Sequence, residues 1–228
     1  MKKETFVLSV GGSVIVPDAI NTDFLKKFIA LVSKNVAKGH RFILVTGGGA
    51  VCRNYNAALE AVSRPAPSDL DWLGITTTRL NATLLKFAFG KLANPDIVLD
   101  PTKPIQFRKP VLVVGGWKPG RSSDYEAVML ARRFKASTII NMSNIDYVYD
   151  KDPRKFKTAK KISLIDWANF QKLVGTKWVP GANVPFDPTA TSFARKNKQK
   201  VIILNGNNLA NLEQALAGRG KFKGTVIA

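Results

Sequence analysis

The sequence predicts an α/β fold: a mostly parallel central sheet with helices on both faces. Three observations carry this. Short apolar runs alternate with segments of helical periodicity along the whole chain. The runs are apolar at most positions and do not alternate, as strands are when both faces of a sheet are covered. Several of them end in glycine-rich turns that open directly into a helix, the punctuation of strand–turn–helix units. With 228 residues, 45% of them hydrophobic, the chain is long enough for one domain with a sizeable core.

Taken in order, Thr5–Val10 reads as a first strand, ended by Gly11, Gly12 and Ser13. Asn21 or Thr22 caps a helix with Phe24, Phe28, Leu31 and Val32 on its apolar face, and Gly39 closes it as a C′ glycine. Arg41–Thr46 is a second strand, running into Gly47, Gly48 and Gly49 and a helix through Tyr55 and Leu59. Three glycines leave no Cβ between a ligand and the backbone N–H groups, and Arg53 follows one turn later. After the loop at 64–68, Ser68 and Asp69 open a long helix with Asp71 and Trp72 in its first turn; Leu73, Leu80, Leu84 and Phe87 are its expected core stripe. Residues 97–99 form a short strand.

The stretch from Val111 to Phe134 organises the chain. Val111–Val114 is a buried-type strand broken by Gly115 and Gly116, and a polar loop follows with Lys118, Arg121, Ser122 and Ser123. Ser123 is the expected N-cap of a helix with Asp124 and Glu126 in its first turn. A strand, a glycine loop and a helix N-terminus together point backbone N–H groups and the positive helix end at one place, which suits a phosphate. Residues 138–142 are the next strand, with Ser143, Asn144 and Asp146 at its carboxyl end, where open α/β sheets hold ligands. Residues 164–173 read as helix, 175–188 as a Gly- and Pro-rich loop, and 188–197 as a helix capped by Asp187 with proline first. A strand at 201–204, a helix at Leu209–Ala217 and an edge strand at 224–227 complete the chain.

Composition removes several function classes. One cysteine, Cys52, excludes an internal disulfide framework, and with one histidine, His40, it disfavours a zinc site. No metal ligand set is therefore assigned. No apolar run has membrane-spanning length and no signal-peptide pattern opens the chain, so a cytoplasmic protein is expected. The 35 Lys and Arg against 16 acids give a net charge of +19. They are spread along the chain without an aromatic-interleaved RNA motif or a helix-turn-helix, which favours an anionic small molecule over nucleic acid as partner.

Neither a Walker A sequence, nor G-x-G-x-x-G after the first strand, nor a G-x-S-x-G elbow is present. What remains is a set of glycine-rich strand ends with nearby cations, which suits phosphoryl transfer between two bound phosphates.

Five segments in order resemble the UMP kinases of the amino acid kinase superfamily, in their archaeal-type branch: 10–17 (VGGSVIVP), 46–55 (TGGGAVCRNY), 71–85 (DWLGITTTRLNATLL), 115–124 (GGWKPGRSSD) and 141–162 (NMSNIDYVYDKDPRKFKTAKKI). The resemblance covers nearly the whole chain. It implies one domain over 1–228, with about 1–135 on the acceptor side and about 136–228 on the ATP side. It implies transfer of the γ-phosphoryl of ATP to UMP with Mg²⁺, in a homohexamer. Gly12, Ser13, Gly49, Arg53, Ser143, Asn144, Tyr149 and Asp152 match ATP-side positions. Gly48, Asp71, Trp117, Lys118, Pro119, Gly120, Arg121, Ser122 and Ser123 match the UMP side, with Asp71 holding ribose hydroxyls. Asp124 matches an acid that orders cations at the transferred group, and with Arg53, Lys118 and Arg121 it makes the catalytic set.

The chain also departs from the pattern. Ser9 stands where bacterial members have lysine, which leaves Lys118, Arg121 and the lysines between 155 and 161 as candidate cations. Trp117 replaces a hydroxyl residue, Arg121 a histidine and Tyr147 a glycine. Two other readings of the same fold are a kinase of an isopentenyl phosphate-type acceptor, for which a ribose-binding acid at 71 would be wasted, and a non-catalytic nucleotide or anion store. An RNA-binding protein is motivated by charge alone.

Overall fold

The computed structural model describes residues 3–177, 184–218 and 221–228. The middle of the loop expected at 175–188, residues 178–183, lies outside the described residues. In chain order the elements are β1 (Thr5–Val10), α1 (Gly12–Ile15), α2 (Thr22–Ala37), β2 (Arg41–Thr46), α3 (Gly49–Val62) and α4 (Pro67–Phe89). Then follow β3 (Val111–Val114), α5 (Ser123–Arg133), β4 (Thr138–Ser143), β5 (Val148–Tyr149), β6 (Lys161–Ile162) and β7 (Leu164–Ile165). The chain closes with α6 (Trp167–Val174), α7 (Pro188–Lys196), β8 (Val201–Asn205), α8 (Leu209–Ala217) and β9 (Thr225–Ile227).

Seven strands form one sheet in the order β3-β2-β1-β4-β8-β9-β7, and β5 pairs with β6 in a separate ribbon. The five strands from β3 to β8 are parallel; β9 runs antiparallel to β8. The expected mostly parallel sheet is therefore the one observed. Alternate strand residues enter two cores. Phe6, Leu8, Leu44, Val113, Ile140 and Leu204 face α2, α4 and α8; Val7, Ile43, Leu112, Ile139 and Ile203 face α5, α6 and α7. Both faces being covered explains why the strand interiors are mostly apolar without alternation. Among the described residues no helix is long and apolar enough to cross a membrane.

The chain order fixes where the sheet changes direction. Successive crossovers go outward from β1 to β2 to β3, and then return to β4 on the other side of β1. A crevice opens at the carboxyl end of strands about such a switch, because the loops part to opposite sides there.

Several local expectations are corrected. The N-cap of α5 is Ser122, not Ser123: the Ser122 Oγ accepts from the Tyr125 N–H at 3.1 Å. Helix α4 begins at Pro67, before Ser68, and the Asp69 carboxylate accepts from the Ala66 N–H at 2.9 Å. Its core stripe is also different. Ile75, Ala82, Leu85 and Phe89 are buried, while Leu80 and Phe87 are 60% and 70% exposed. This helix carries two apolar stripes, and the sheet takes the other one. Residues 97–99 make a single bridge, Val98 to Val114, rather than a strand. Leu164–Ile165 pairs with β9, and the helix starts only after the Asp166 cap.

Candidate active site

Two glycine turns lock together at the carboxyl ends of β1 and β2. Gly11 donates to the Met142 carbonyl at 3.0 Å, Gly47 to Val10 at 3.0 Å and Ala50 to Val16 at 2.8 Å. A Cβ on Gly12 would strike the backbone of Gly47, Gly48 and Gly49, and one on Gly49, whose φ is +69°, would strike the Gly12 and Val16 carbonyls. Gly12 thus stands against Gly48 and Gly49. The glycines are required by this backbone packing as well as by any ligand.

The middle of α4 holds these turns. Asn81 Nδ2 donates to the Gly47 and Gly48 carbonyls at 2.8 and 3.2 Å. Thr46 Oγ1 donates to the Thr78 carbonyl at 2.9 Å, and Thr78 Oγ1 accepts from the Gly116 N–H at 2.7 Å. Arg79 donates to the Gly116 carbonyl at 2.9 Å and to the Trp117 carbonyl at 3.1 Å. Sequence reading assigned no role to Thr78, Arg79 or Asn81. Their signal was there, a polar run from Thr76 to Arg79 with Asn81 just beyond Leu80, inside a helix that is otherwise rich in apolar residues.

The loop after β3 is drawn to the same place. Asp71 Oδ2 accepts from the Gly120 N–H at 2.8 Å, and Gly120 has φ +74°. Lys118 Nζ lies 4.2 Å from the Trp117 ring centre, and the Arg121 guanidinium lies 4.3 Å from that of Tyr125. Pro119, Ser122 and Ser123 complete the turn into α5, whose N-terminus faces the crevice with its N–H groups unpaired within the helix.

Asp124 is the hub beneath. Its Oδ1 accepts from Ser9 Oγ at 3.1 Å and from Asn141 Nδ2 at 3.0 Å; its Oδ2 accepts from the Asp187 N–H at 3.2 Å. β1, β4 and the start of α7 converge on one carboxyl. Ser9, which stands in the place of a lysine, is thereby a hydrogen-bond donor to this acid. Desolvation pushes the Asp124 pKa up to about 7; the nearby Asp187 charge adds to this, and the bonds from the Asp187 N–H and Ser9 oppose it. Asp187 is itself buried, with Oδ1 capping α7 through Ala190 N–H at 2.8 Å and Oδ2 without a partner among the described residues. Two residues beyond Asp124, Glu126 is fully buried, and desolvation pushes its pKa up to about 8 against the Trp117 N–H bond and the Arg79 charge.

The remaining expected residues lie around the rim. Ser143 ends β4 and Asn144 follows it, their side-chain oxygens 3.5 Å apart, and the Gly206 N–H donates to the Ser143 carbonyl at 2.8 Å. Tyr149 pairs with Lys161 in the β5–β6 ribbon, while Asp152 accepts two 3.1 Å bonds from the Arg154 guanidinium in its own turn. That pairing holds its carboxyl below the usual range. Tyr147 sits under Lys161, whose Nζ is 5.2 Å from the ring centre. Arg53 is exposed and donates to the Pro17 carbonyl at 3.0 Å, and Lys118 is exposed too. Among the described residues neither is bonded to Asp124. No three His, Cys, Asp or Glu side chains cluster as a metal cage among them either. A shallow cavity of about 500 Å³ lined by His40, Arg41 and Arg108 lies at the opposite, amino-terminal edge of β2 and β3, away from this chemistry.

The geometry therefore offers two glycine turns, one helix N-terminus and a buried acid about one crevice. The amino acid kinase family matches residues 4–205. The uridylate kinase of Methanospirillum hungatei is 34% identical over 226 residues, covering 98% of this chain and 94% of the relative. That of Thermococcus onnurineus is 35% identical over 226 residues, covering 97% and 98%. Among solved structures, the uridylate kinase from Archaeoglobus fulgidus superposes with a TM-score of 0.83 at 30% identity, covering 98% of this chain and 99% of that one.

Proposed function

The chain belongs to the amino acid kinase family, and on that premise we propose that it is a UMP kinase. It transfers the γ-phosphoryl of ATP to UMP, giving UDP and ADP, a step of pyrimidine nucleotide synthesis in the cytoplasm. The observation that supports this best is the meeting of the Asp71 carboxylate with the Gly120 loop beside the interlocked glycine turns. An acid fixed there suits the vicinal hydroxyls of a ribose, through charge-assisted bonds. The near full-length likeness to proteins named uridylate kinase supports the same acceptor.

In this reading about 1–135 is the UMP side and about 136–228 the ATP side of one domain. Gly48, Asp71 and the turn from Trp117 to Ser123 bind UMP. Gly12, Ser13, Gly49, Arg53, Ser143, Asn144, Tyr149 and Asp152 take ATP. Arg53, Lys118 and Arg121 supply positive charge for the transferred group, and Asp124 orders what surrounds it. Mg²⁺ enters with ATP. Asp124 is the carboxylate that would order its water shell. When bound, the ion neutralises charge on the phosphoryl oxygens. A homo-oligomer, a hexamer by resemblance, would cover the outer stripe of α4, where Trp72, Leu80 and Phe87 are 48%, 60% and 70% exposed.

A coupled assay of ADP release tests the acceptor across UMP, CMP, dUMP, AMP and isopentenyl phosphate. UMP is expected to give the highest kcat/KM, by roughly ten-fold or more over dUMP, because a site built for a hydroxyl rejects the analogue lacking it. Faster turnover of isopentenyl phosphate would overturn the reading, and so would ATP binding without ADP release for any acceptor. Light scattering of the purified protein reads the oligomer directly.

A further inference from the structure

We propose that Glu126 and Arg79 are a positioning pair that clamps the Gly116–Trp117 backbone and thereby sets the affinity for the phosphate acceptor. Glu126 Oε1 accepts from the Trp117 N–H at 2.7 Å. Arg79 reaches the same turn from α4 and donates to the carbonyls on either side of that N–H, at Gly116 and Trp117. Thr78 holds the preceding N–H, at Gly116. The backbone N–H and C=O groups of Gly116 and Trp117 are thus all engaged. Further on, Gly120 is held by Asp71. A loop pinned near both ends presents its amides at fixed positions, and fixed positions decide affinity for a phosphate.

Stability does not account for Glu126. It is 0% exposed, and its neighbours Ala127, Val128, Leu130 and Ala131 are buried apolar residues. Oε2 has no hydrogen-bond partner among the described residues. An apolar side chain of similar volume there would spare the cost of burying a carboxyl, which offsets the loss of the bond to the Trp117 N–H. Among the described residues the one hydrogen bond its side chain makes is to the Trp117 N–H. A buried group kept half-satisfied calls for a functional explanation, and the clamp provides it.

The inference rests on the reading that 117–123 binds the acceptor, and its test separates the two. Glu126→Leu removes the acceptor atom but fills the space; Glu126→Gln keeps it. Steady-state kinetics, thermal unfolding and amide exchange at Trp117 are measured for both. Glu126→Leu is expected to stay folded, to raise the UMP KM roughly ten-fold or more, to leave the ATP KM within about two-fold, and to exchange the Trp117 amide faster. Glu126→Gln is expected to restore the UMP KM to within about three-fold and the amide protection. A folded Glu126→Leu with the wild-type UMP KM overturns the inference, and so does one in which both KM values rise with a fall in melting temperature. If Glu126→Leu does not fold, Glu126→Gln decides: loss of Trp117 protection in it overturns the clamp, and retained protection with wild-type UMP KM supports it. If the wild-type enzyme does not turn over UMP, the functional reading fails, and amide exchange still tests the clamp.

Discussion

The Asp71 carboxylate accepts a 2.8 Å hydrogen bond from the backbone N–H of Gly120, a residue 49 positions away. It joins α4 to the loop before α5 and leaves Oδ1 outside any protein hydrogen bond among the described residues. Asn at 71 keeps an oxygen for Gly120 but removes the charge offered to ligand hydroxyls. Asp71→Asn is therefore expected to weaken UMP by about 1.5–3 kcal/mol, roughly ten- to a hundred-fold in KM, with the ATP KM unchanged. Equal shifts in the two KM values would remove Asp71 from the acceptor site.

Arg121 stands just before α5 with its guanidinium over Tyr125. That stacking holds a permanent charge at the crevice, where a lysine would leave a mobile one. Arg121→Ala is expected to lower kcat by roughly 10²-fold, more than it raises KM, and Arg121→Lys to recover part of this. A wild-type kcat with a raised UMP KM would move the catalytic charge to Lys118 or the lysines between 155 and 161.

Gly49 and Gly120 both have positive φ, but their surroundings differ. A Cβ on Gly49 would meet carbonyl oxygens of the facing turn, whereas one on Gly120 would meet nothing within 4 Å. Gly120→Ala is expected to cost only the backbone strain, about 1–2 kcal/mol. Gly49→Ala is expected to cost more, because two locked turns must separate. Urea unfolding of the two variants compares them. If Gly49→Ala were as stable as wild type, the turn would be a ligand cradle alone.

Burial raises the Glu126 pKa from 4.5 to about 8 and that of Asp124 from 3.8 to about 7. The folded chain then holds protons that the unfolded chain releases between those values. Stability from these groups is fully present below about pH 4 and is lost as pH rises through 7 and 8, with a slope of at most about 1.4 kcal/mol per pH unit for each group. The melting temperature is expected to fall between pH 6 and pH 9, and to fall less in Glu126→Gln. An identical pH slope in that variant would show that Glu126 does not hold a proton in the fold.

Local patterns were enough for the architecture. Apolar runs of four to six residues without alternation, bounded by glycine turns, are too short for buried helices and fit strands covered on both faces, so a parallel sheet with helices on both sides was legible. So were the glycine turns and, through resemblance, Asp71 and Asp124 as residues of interest. Helical spacing in α4 did not choose between two apolar stripes, because period alone does not say which stripe meets the sheet. Only packing put Ile75 and Leu85 inward and Leu80 and Phe87 outward. The contacts of Arg79, Asn141 and Glu126, and the bond from the Asp187 N–H to Asp124 beyond its expected cap, were invisible for a related reason. Each is defined by a backbone or carboxyl group that arrives from a different element, at Trp117 or Asp124. Sequence determines which groups can hydrogen-bond; which of them meet inside the protein is decided by how the elements stack, and burial then sets the strength and the proton affinity of what has met.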